Sequence, residues 1–146
     1  MSKIIVTGGA GFIGSNLVDV LIEKGHEVLI IDNLSTGKKE YLNPRAEFHE
    51  VDLRDFEKIR PLFDGIDFVF HQAALPRIPL SIEKPKESND INIGVTLNAL
   101  FASKEAGVKK FIYAASSSAY GDQKQLPLRE DMPCSPLNPY GLQKYV

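Results

Sequence analysis

Hydrophobic residues occur along this chain in short runs that are separated by segments with helical spacing. The runs cover residues 4–6, 26–32, 47–51, 66–71 and 111–115. Short apolar runs bounded by glycine, proline or polar residues are typical of buried β-strands. Between them, apolar residues recur three or four positions apart at 16–24, 55–63 and 88–106, which predicts helices. Five strands are therefore expected to alternate with helical segments.

This alternation predicts an α/β fold, a doubly wound parallel sheet with right-handed crossovers and helices on both faces. We expect the five strands in the order 3-2-1-4-5. Gly25, Gly65 and Gly107 follow the predicted helices, and glycine is favoured where a helix ends. Ligands of such sheets bind beyond the carboxyl ends of the strands, so the residues after each run are candidates for a site.

The rest of the chain is predicted to be loop, except at its end. A loop that carries Pro76, Pro79 and Pro85 is expected after the fourth strand, and the residues after 115 are rich in glycine, proline and charge. Asn138 is a good helix N-cap, and Pro139 suits the first helical position. A last helix is therefore predicted to begin there.

A glycine-rich turn, Thr7-Gly-Gly-Ala-Gly-Phe-Ile-Gly14, joins the first strand to the first helix. In a dinucleotide site Gly8 would allow the tight turn, Gly11 would let the backbone approach a pyrophosphate, and Gly14 would let the helix pack on the strand. Glycines alone also fit a flexible turn. The flanking strand and helix, and Asp32 placed 18 residues after Gly14, supply the context that the motif requires. A dinucleotide with its phosphates at the helix N-terminus is predicted.

Tyr140 and Lys144 are four residues apart in the last predicted helix, a spacing that puts both on one face. A tyrosine in water has a pKa of about 10, and a cation about 4 Å away favours the phenolate by roughly 4 kcal/mol at an effective dielectric of about 20. We interpret the pair as a candidate acid–base site. Tyr120 and Lys124 have the same spacing, but Gly121 predicts a turn there.

Three serines, residues 116–118, follow the fifth strand at its carboxyl end. Ser116 could hydrogen-bond a substrate hydroxyl that Tyr140 deprotonates, or it could be a loop or capping hydroxyl, and the residues alone leave both roles open. The three histidines lack metal-ligand spacing, and no Gly-x-Ser-x-Gly sequence occurs. Neither a metal site nor a serine hydrolase is predicted.

Composition, charge and cysteine content argue against several classes of protein. The 146 residues, 43% of them hydrophobic and 25% charged, suffice for one domain with a single core. A net charge of −2 without a basic stripe argues against a nucleic-acid partner. A single cysteine, Cys134, excludes an internal disulfide, and no long apolar segment follows Met1. We therefore expect a cytoplasmic protein without a membrane span.

These residues together resemble the extended short-chain dehydrogenases/reductases, and among them the NAD-dependent nucleotide-sugar 4-epimerases that act on UDP-hexoses or UDP-N-acetylhexosamines. The resemblance rests on Thr7-Gly-Gly-Ala-Gly-Phe-Ile-Gly14, Asp32-Asn-Leu-Ser-Thr-Gly37, Asp52-Leu53, His71-Gln-Ala-Ala74, Ala115-Ser-Ser-Ser-Ala-Tyr-Gly-Asp122 and Pro139-Tyr-Gly-Leu-Gln-Lys144. It implies a Rossmann-like NAD-binding domain over residues 1–146 that is incomplete at its C-terminus, with the family's smaller substrate domain absent.

The resemblance also implies roles for individual residues. Asp32 would hold the adenosine ribose hydroxyls and so favour NAD over NADP, while Asp52 and Leu53 would meet the adenine. Lys144 would bind the nicotinamide ribose, and Ser116 takes the family's Ser/Thr position. The other expected cofactor contacts are Gly8, Gly11, Phe12, Ile13, Gly14, Asn33, Ser35, Thr36, Gly37, Gln72, Ala73, Ala74, Asn92 and Tyr140.

The reaction implied by the resemblance is a reversible oxidation at C4 of a UDP-sugar. Tyr140 would take the proton of the 4-hydroxyl while hydride moves to NAD. The 4-keto sugar would then turn and take the hydride back on its other face. A homodimer of the full-length protein is implied as well.

Alternatives to an epimerase remain open. Sugar 4,6-dehydratases of the group typically carry Asp-Glu where this chain has Ser117 and Ser118, which favours an epimerase over a dehydratase, and a reductase of the same group is a further alternative. The chain could also be a non-catalytic NAD-binding module, and we expect the isolated 146 residues to be inactive. The family's Asn-x-x-Gly is here Asn92-Ile-Gly94-Val95, and the displaced glycine predicts a local difference in helix packing.

Overall fold

Five parallel strands form one sheet in the computed structural model, which describes residues 1–146 throughout. The strands are β1 (Lys3–Thr7), β2 (Glu27–Asp32), β3 (Glu47–Glu50), β4 (Phe68–His71) and β5 (Lys110–Tyr113). Their order is β3-β2-β1-β4-β5, and all neighbours are parallel. The predicted strand order and doubly wound α/β fold are confirmed.

The sheet belongs to the first of two compact units, residues 1–73 together with 96–114. Val6 in the central strand pairs with Ile30 on one side and Phe70 on the other. Val6 and Ile30 are fully buried, as expected for central parallel strands that are covered on both faces. Because Thr7 lies opposite both Ile31 and His71, the segments after β1, β2 and β4 emerge along one edge of the sheet.

The first helix, α1 (Phe12–Glu23), packs Val18 and Ile22 into the core beside the sheet. It begins four residues before the predicted start at 16. Phe12 and Ile13 are 79% and 67% exposed, so the first turn carries no apolar periodicity toward the core. Gly25 follows the helix with φ +81°, as its predicted terminating role requires.

The predicted helix at 55–63 is divided in two. Phe56–Ile59 form a short helix, α2, and Arg60–Phe63 form a 3₁₀ turn. Pro61 has no N–H group to donate to the turn before it, which interrupts a regular α-helix at this point. Ile59 and Phe63 are nevertheless fully buried, so the apolar spacing that suggested a helix reflects real burial.

The second unit comprises residues 74–95 and 115–146. The predicted proline loop is wrong in part, because Ile78–Glu83 form a helix, α3, with Pro79 in its first turn, where proline is tolerated. The predicted helix at 88–106 is three consecutive segments: α4 (Pro85–Asn89), a π-helical turn (Asp90–Gly94) and α5 (Val95–Glu105), which belongs to the first unit from residue 96 onward. The π turn falls on the displaced glycine, where a packing difference was predicted.

The last helix, α6 (Pro139–Tyr145), begins where the sequence predicts. Asn138 accepts a hydrogen bond from the Gly141 N–H through its side-chain oxygen, at 2.8 Å, and Pro139 occupies the first turn. The cap satisfies a donor that the helix itself leaves unpaired. No helix of this protein combines the length and apolarity that crossing a membrane requires.

Candidate functional site

The glycine turn leaves no room for side chains at Gly8, Gly9 and Gly14, and a Cβ on Gly9 would lie 2.7 Å from Ile30 Cγ2. Gly8 has φ +70°, and a Cβ there would lie 2.7 Å from the Ala73 nitrogen. A Cβ on Gly14 would collide with the carbonyl oxygen of Gly8. Gly11 is less constrained, since its nearest neighbour is that same oxygen at 3.3 Å. Gly8 and Gly14 are therefore required by the close packing of β1, α1 and the segment after β4.

The N-terminus of α1 is suited to an anion. Gly11 stands at the cap position and provides no side-chain hydrogen bond to the first turn, and no acidic residue lies in that turn. The first N–H groups of a twelve-residue helix carry partial positive charge and attract phosphate. Phe12 and Ile13, both predicted to contact the cofactor, expose their side chains on this turn.

Asp32 is fixed at the end of β2 by two backbone donors. Its Oδ2 accepts the Ala10 N–H at 3.0 Å, and its Oδ1 accepts the Leu34 N–H at 2.8 Å. Asp32 is 9% exposed, and its two hydrogen bonds hold it between the glycine turn and the loop after β2. Each carboxylate oxygen can accept more than one hydrogen bond, which fits the predicted binding of ribose hydroxyls.

The loop after β2 lies directly against the glycine turn. A Cβ on Gly37 would be 2.8 Å from the Ala10 Cβ, and the Lys38 N–H donates to the Ala10 carbonyl at 3.0 Å. Ser35 and Thr36 are exposed at the tip of this loop. The predicted contacts at residues 35–37 are thus brought next to those of the glycine turn.

Asp52 has strong partners within the protein. Arg54 donates from Nη2 to its Oδ2 at 2.7 Å, and Asn33 donates to the same oxygen at 2.9 Å. The hydrogen bond from the Arg54 side chain holds the pKa of Asp52 well below its usual range. The neighbouring Leu53 carbonyl accepts from the Asn98 side chain at 2.9 Å. The adenine contact expected of Asp52 and Leu53 stays a prediction, and both residues are hydrogen-bonded within the protein.

A buried histidine joins β1 and β4 beside the glycine turn. His71 is fully buried, with Nδ1 2.8 Å from Thr7 Oγ1 and Nε2 3.0 Å from Thr96 Oγ1. Thr7 Oγ1 also accepts the Ala73 N–H at 3.2 Å, and the Gln72 N–H donates to the Thr7 carbonyl at 3.1 Å. The predicted cofactor residues Gln72 and Ala73 are therefore held through their backbone N–H groups by the carbonyl and the side chain of Thr7.

In the second unit, the serine turn and the tyrosine helix are in direct contact. Ser116 accepts the Ser118 N–H through Oγ at 3.2 Å and so caps the 3₁₀ turn at Ser117–Ala119. The capping role was one of the two alternatives for Ser116 in the sequence analysis. Because the cap uses only the oxygen as an acceptor, the Ser116 hydroxyl can still donate its proton to a second hydrogen bond. A Cβ on Gly141 would lie 2.6 Å from the Ser118 carbonyl oxygen. Residues 116 and 140 thus lie on two elements that touch.

Lys144 is almost completely buried on α6, with 5% of its surface exposed. Burial lowers the pKa of its ammonium group to about 8, because removal from water disfavours the charge. Tyr140, one turn earlier, is half-buried. By contrast Tyr120 precedes Gly121 with φ +63° and lies outside any α-helix. Of the two Tyr/Lys pairs with a four-residue spacing, the one at residues 140 and 144 lies in an α-helix, as predicted.

The sequence reasoning missed the side chains that support α6. Ser81 accepts the Tyr140 N–H through Oγ at 3.2 Å. Gln143 is 4% exposed and accepts hydrogen bonds from Ser88 and Asn92, both at 2.8 Å. The amide of Asn92, a predicted cofactor contact, is therefore engaged with the protein. No local motif marks Ser81, Ser88 or Gln143.

Replacement of Gly141 by alanine is expected to lower the free energy of unfolding by about 1–3 kcal/mol, the usual cost of overpacking. The added Cβ would push α6 away from the Ser118 carbonyl. Gly94→Ala is the matched control, because a Cβ at residue 94 meets no atom within 4 Å. Chemical denaturation of both variants measures the difference, and equal stabilities would contradict the close packing described for Gly141.

The fold, the residues around the glycine turn and the helix that carries Tyr140 and Lys144 together define a class of protein. A parallel sheet with a glycine turn after β1, an acid at the end of β2 and a Tyr-x-x-x-Lys helix is the arrangement of the short-chain dehydrogenases/reductases. The chain belongs to the NAD dependent epimerase/dehydratase family, whose model matches residues 4–146. The glycine turn, the open N-terminus of α1 and the placement of Asp32 fit the cofactor of that family.

Individual relatives support the assignment. A UDP-glucose 4-epimerase of Lactobacillus helveticus is 38% identical over 99% of this chain and 44% of its own length. The structure of a Thermotoga maritima UDP-glucose 4-epimerase with UDP-glucose matches with 43% identity and a TM-score of 0.95, over 98% of this chain and 48% of that one. A UDP-N-acetylglucosamine 4-epimerase of Methanobrevibacter ruminantium, in complex with UDP-N-acetylmuramic acid, has 40% identity and a TM-score of 0.92, over 98% and 47%. The chain spans about half the length of these relatives.

Proposed function

We propose that the whole protein is an NAD-dependent UDP-sugar 4-epimerase that interconverts UDP-glucose and UDP-galactose or their N-acetyl forms. Residues 1–146 would be its NAD-binding domain, with the catalytic residues Ser116, Tyr140 and Lys144. The observation that carries the proposal is the contact in the second unit between α6 and the turn that Ser116 caps. The similarity to UDP-sugar epimerases supports the same substrate class.

The proposed roles follow from the chemistry of each side chain. NAD, when bound, supplies the hydride acceptor and donor for C4 of the sugar. Tyr140 accepts the proton of the 4-hydroxyl and later gives it back, as a positioned acid and base. Lys144 favours the ionised phenol through its positive charge, and its burial keeps that charge poorly screened by water. Ser116 orients the hydroxyl with the proton that its cap does not use.

The function is tested with a panel of UDP-sugars incubated with the whole protein. We expect UDP-glucose or UDP-N-acetylglucosamine to be converted to the corresponding 4-epimer without added cofactor. A dehydrated 4-keto-6-deoxy product would instead identify a dehydratase. Absence of conversion of every sugar, in protein that holds NAD, would support the non-catalytic alternative and contradict the proposal.

Cofactor choice tests the role of Asp32. We expect NAD to bind at least about tenfold more tightly than NADP, because a 2′-phosphate beside the buried carboxylate is repelled and poorly solvated. Asp32→Asn should reduce this preference, and the exposed Asp19→Asn is the charge-matched control. Calorimetric titration of protein freed of nucleotide measures both constants. Tighter binding of NADP to the unaltered protein would remove Asp32 from its assigned role.

The proposal extends to a cytoplasmic homodimer that acts in carbohydrate metabolism. Support for self-association comes from large apolar side chains that remain exposed on α5, where Leu97, Leu100 and Phe101 are 63%, 44% and 49% exposed. Sedimentation of the whole protein at micromolar concentration tests this, and a monomer would contradict it.

A further inference from the structure

A buried polar cluster lies against α6 in the second unit. It consists of Gln143, Ser88 and Asn92, which are 4%, 0% and 1% exposed. Ser88 Oγ and Asn92 Nδ2 both donate to Gln143 Oε1 at 2.8 Å. Buried polar groups of this kind are costly unless they are paired, so the cluster is a specific structural device rather than incidental contact.

A backbone group sets the direction of every hydrogen bond in the cluster. The Leu75 N–H, which can only donate, lies 2.8 Å from Asn92 Oδ1. The side-chain nitrogen of Asn92 must therefore face Gln143, and Gln143 must accept this hydrogen bond through its side-chain oxygen. The Ser88 hydroxyl then donates to the same oxygen. One orientation of the Gln143 side chain satisfies both of its donors, Ser88 and Asn92.

On the helix surface Gln143 and Lys144 flank Tyr140 on opposite sides. At 100° per residue, Tyr140 lies about 40° from Lys144 on one side and about 60° from Gln143 on the other. A clamp on residue 143 therefore fixes the rotation of α6 about its axis. A helix of seven residues has little stability of its own, so its orientation depends on such contacts.

A second contact fixes the start of the same helix. Ser81 is fully buried, donates to the Ile78 carbonyl at 2.7 Å, and accepts the Tyr140 N–H at 3.2 Å. This bond holds the backbone of Tyr140 to α3. With the clamp at Gln143, the helix is tied near both ends of its catalytic face.

We propose that Gln143 and Ser88 are positioning residues for the reaction, and that their buried hydrogen bond holds α6 in the rotation that aims Tyr140 and Lys144 at the substrate. The inference rests on the proposed function, because the residues act only through that pair. Neither side chain exchanges a proton with the sugar. Loss of the clamp should misdirect the acid–base pair while the fold and the cofactor remain in place.

Gln143→Met and Ser88→Ala test the proposal in the whole protein. Methionine keeps the length and helix propensity of glutamine but accepts no comparable hydrogen bond. We expect kcat, per NAD-loaded site, to fall about 10- to 100-fold, the size of effect that a small misplacement of catalytic groups produces. KM for the UDP-sugar and the NAD content should stay within about twofold. Asn89→Ala, at the exposed position next to Ser88, should leave kcat unchanged.

Two further readouts separate positioning from mere stability. The double variant should lose no more activity than Gln143→Met alone, because the Ser88–Gln143 bond that Ser88→Ala deletes is already lost in Gln143→Met, so the two losses are not additive. Amide exchange of residues 140–145 should accelerate in Gln143→Met and not in Asn89→Ala. Gln143→Glu, which keeps the acceptor oxygen, should retain the slow exchange.

The outcomes that would overturn the inference are distinct. A fall in melting temperature or NAD content with unchanged kcat per loaded site would mean a purely structural role. Additive losses in the double variant would mean that the two residues act independently. Slow exchange of α6 in both Gln143→Met and Ser88→Ala would contradict the clamp, even if the unaltered protein epimerised no sugar and the proposed function itself failed.

Discussion

Phenylalanine in place of Tyr140 is expected to lower kcat for epimerisation by about 10³-fold, within the range that general acid–base catalysis contributes. The substitution removes the only atom of this side chain that can exchange a proton with the sugar 4-hydroxyl. The ring remains half-buried at the same place on α6, so the fold and the NAD content should not change. Steady-state rates on the whole protein, normalised to bound NAD, give the comparison.

Tyr120→Phe is the matched control for that experiment. Tyr120 has a lysine four residues later, as Tyr140 does, but it ends a 3₁₀ turn and is followed by Gly121 with positive φ. We expect this variant to retain the activity of the unaltered protein within about twofold. Loss of activity in Tyr120→Phe together with retention in Tyr140→Phe would show that Tyr120, and not Tyr140, is the base.

Lys144→Met is expected to have two opposite effects. The activity at neutral pH should fall by about 10²-fold or more, because the positive charge that favours the ionised phenol is removed, and the residual activity should rise with pH. The melting temperature should increase at pH 7, because methionine fills the buried position without a charge. Burial lowers the pKa of Lys144 to about 8, well below the value near 10.5 in an unfolded chain.

The sign of the pH dependence follows from that difference in pKa. Between about pH 8 and pH 10.5 the unfolded chain binds more protons at this lysine than the folded protein does, so the stability of the unaltered protein gains from rising pH. The advantage of Lys144→Met should therefore be largest below pH 8 and shrink toward pH 10.5. Thermal unfolding of both proteins across this range measures it. A constant difference in melting temperature would show that burial does not oppose the charge.

Much of the fold follows from local sequence pattern, because the central strands are buried on both faces and have few polar residues. The structure differs from the sequence-based prediction where a residue type fits more than one kind of local structure. Pro79 was expected to mark a loop but opens a helix, since the first turn needs no N–H from it. Phe12 and Ile13 lie in the first turn of α1 but are exposed, so the spacing of buried apolar residues does not indicate where this helix begins. Pro61 converts the end of a predicted helix into a 3₁₀ turn.

The candidate site was predictable in the same local sense. Glycine spacing and Asp32 are read within one strand–turn–helix–strand segment, and Tyr140 and Lys144 within one helical turn. The supports of α6 are different, because the bonds of Gln143 to Ser88 and Asn92 join residues 55 and 51 positions apart. Only the folded chain brings such residues together, so no spacing rule could indicate them.

The most direct test of the central claim, reversible oxidation at C4, follows a hydrogen isotope through the reaction of the whole protein. UDP-glucose that carries deuterium at C4 is converted in ordinary water, and unlabelled UDP-glucose is converted in D₂O. We predict that the epimer formed in the first experiment keeps its deuterium at C4 and that the epimer formed in the second gains none there. Loss of the label to water, or deuterium from the solvent at C4, would contradict the account.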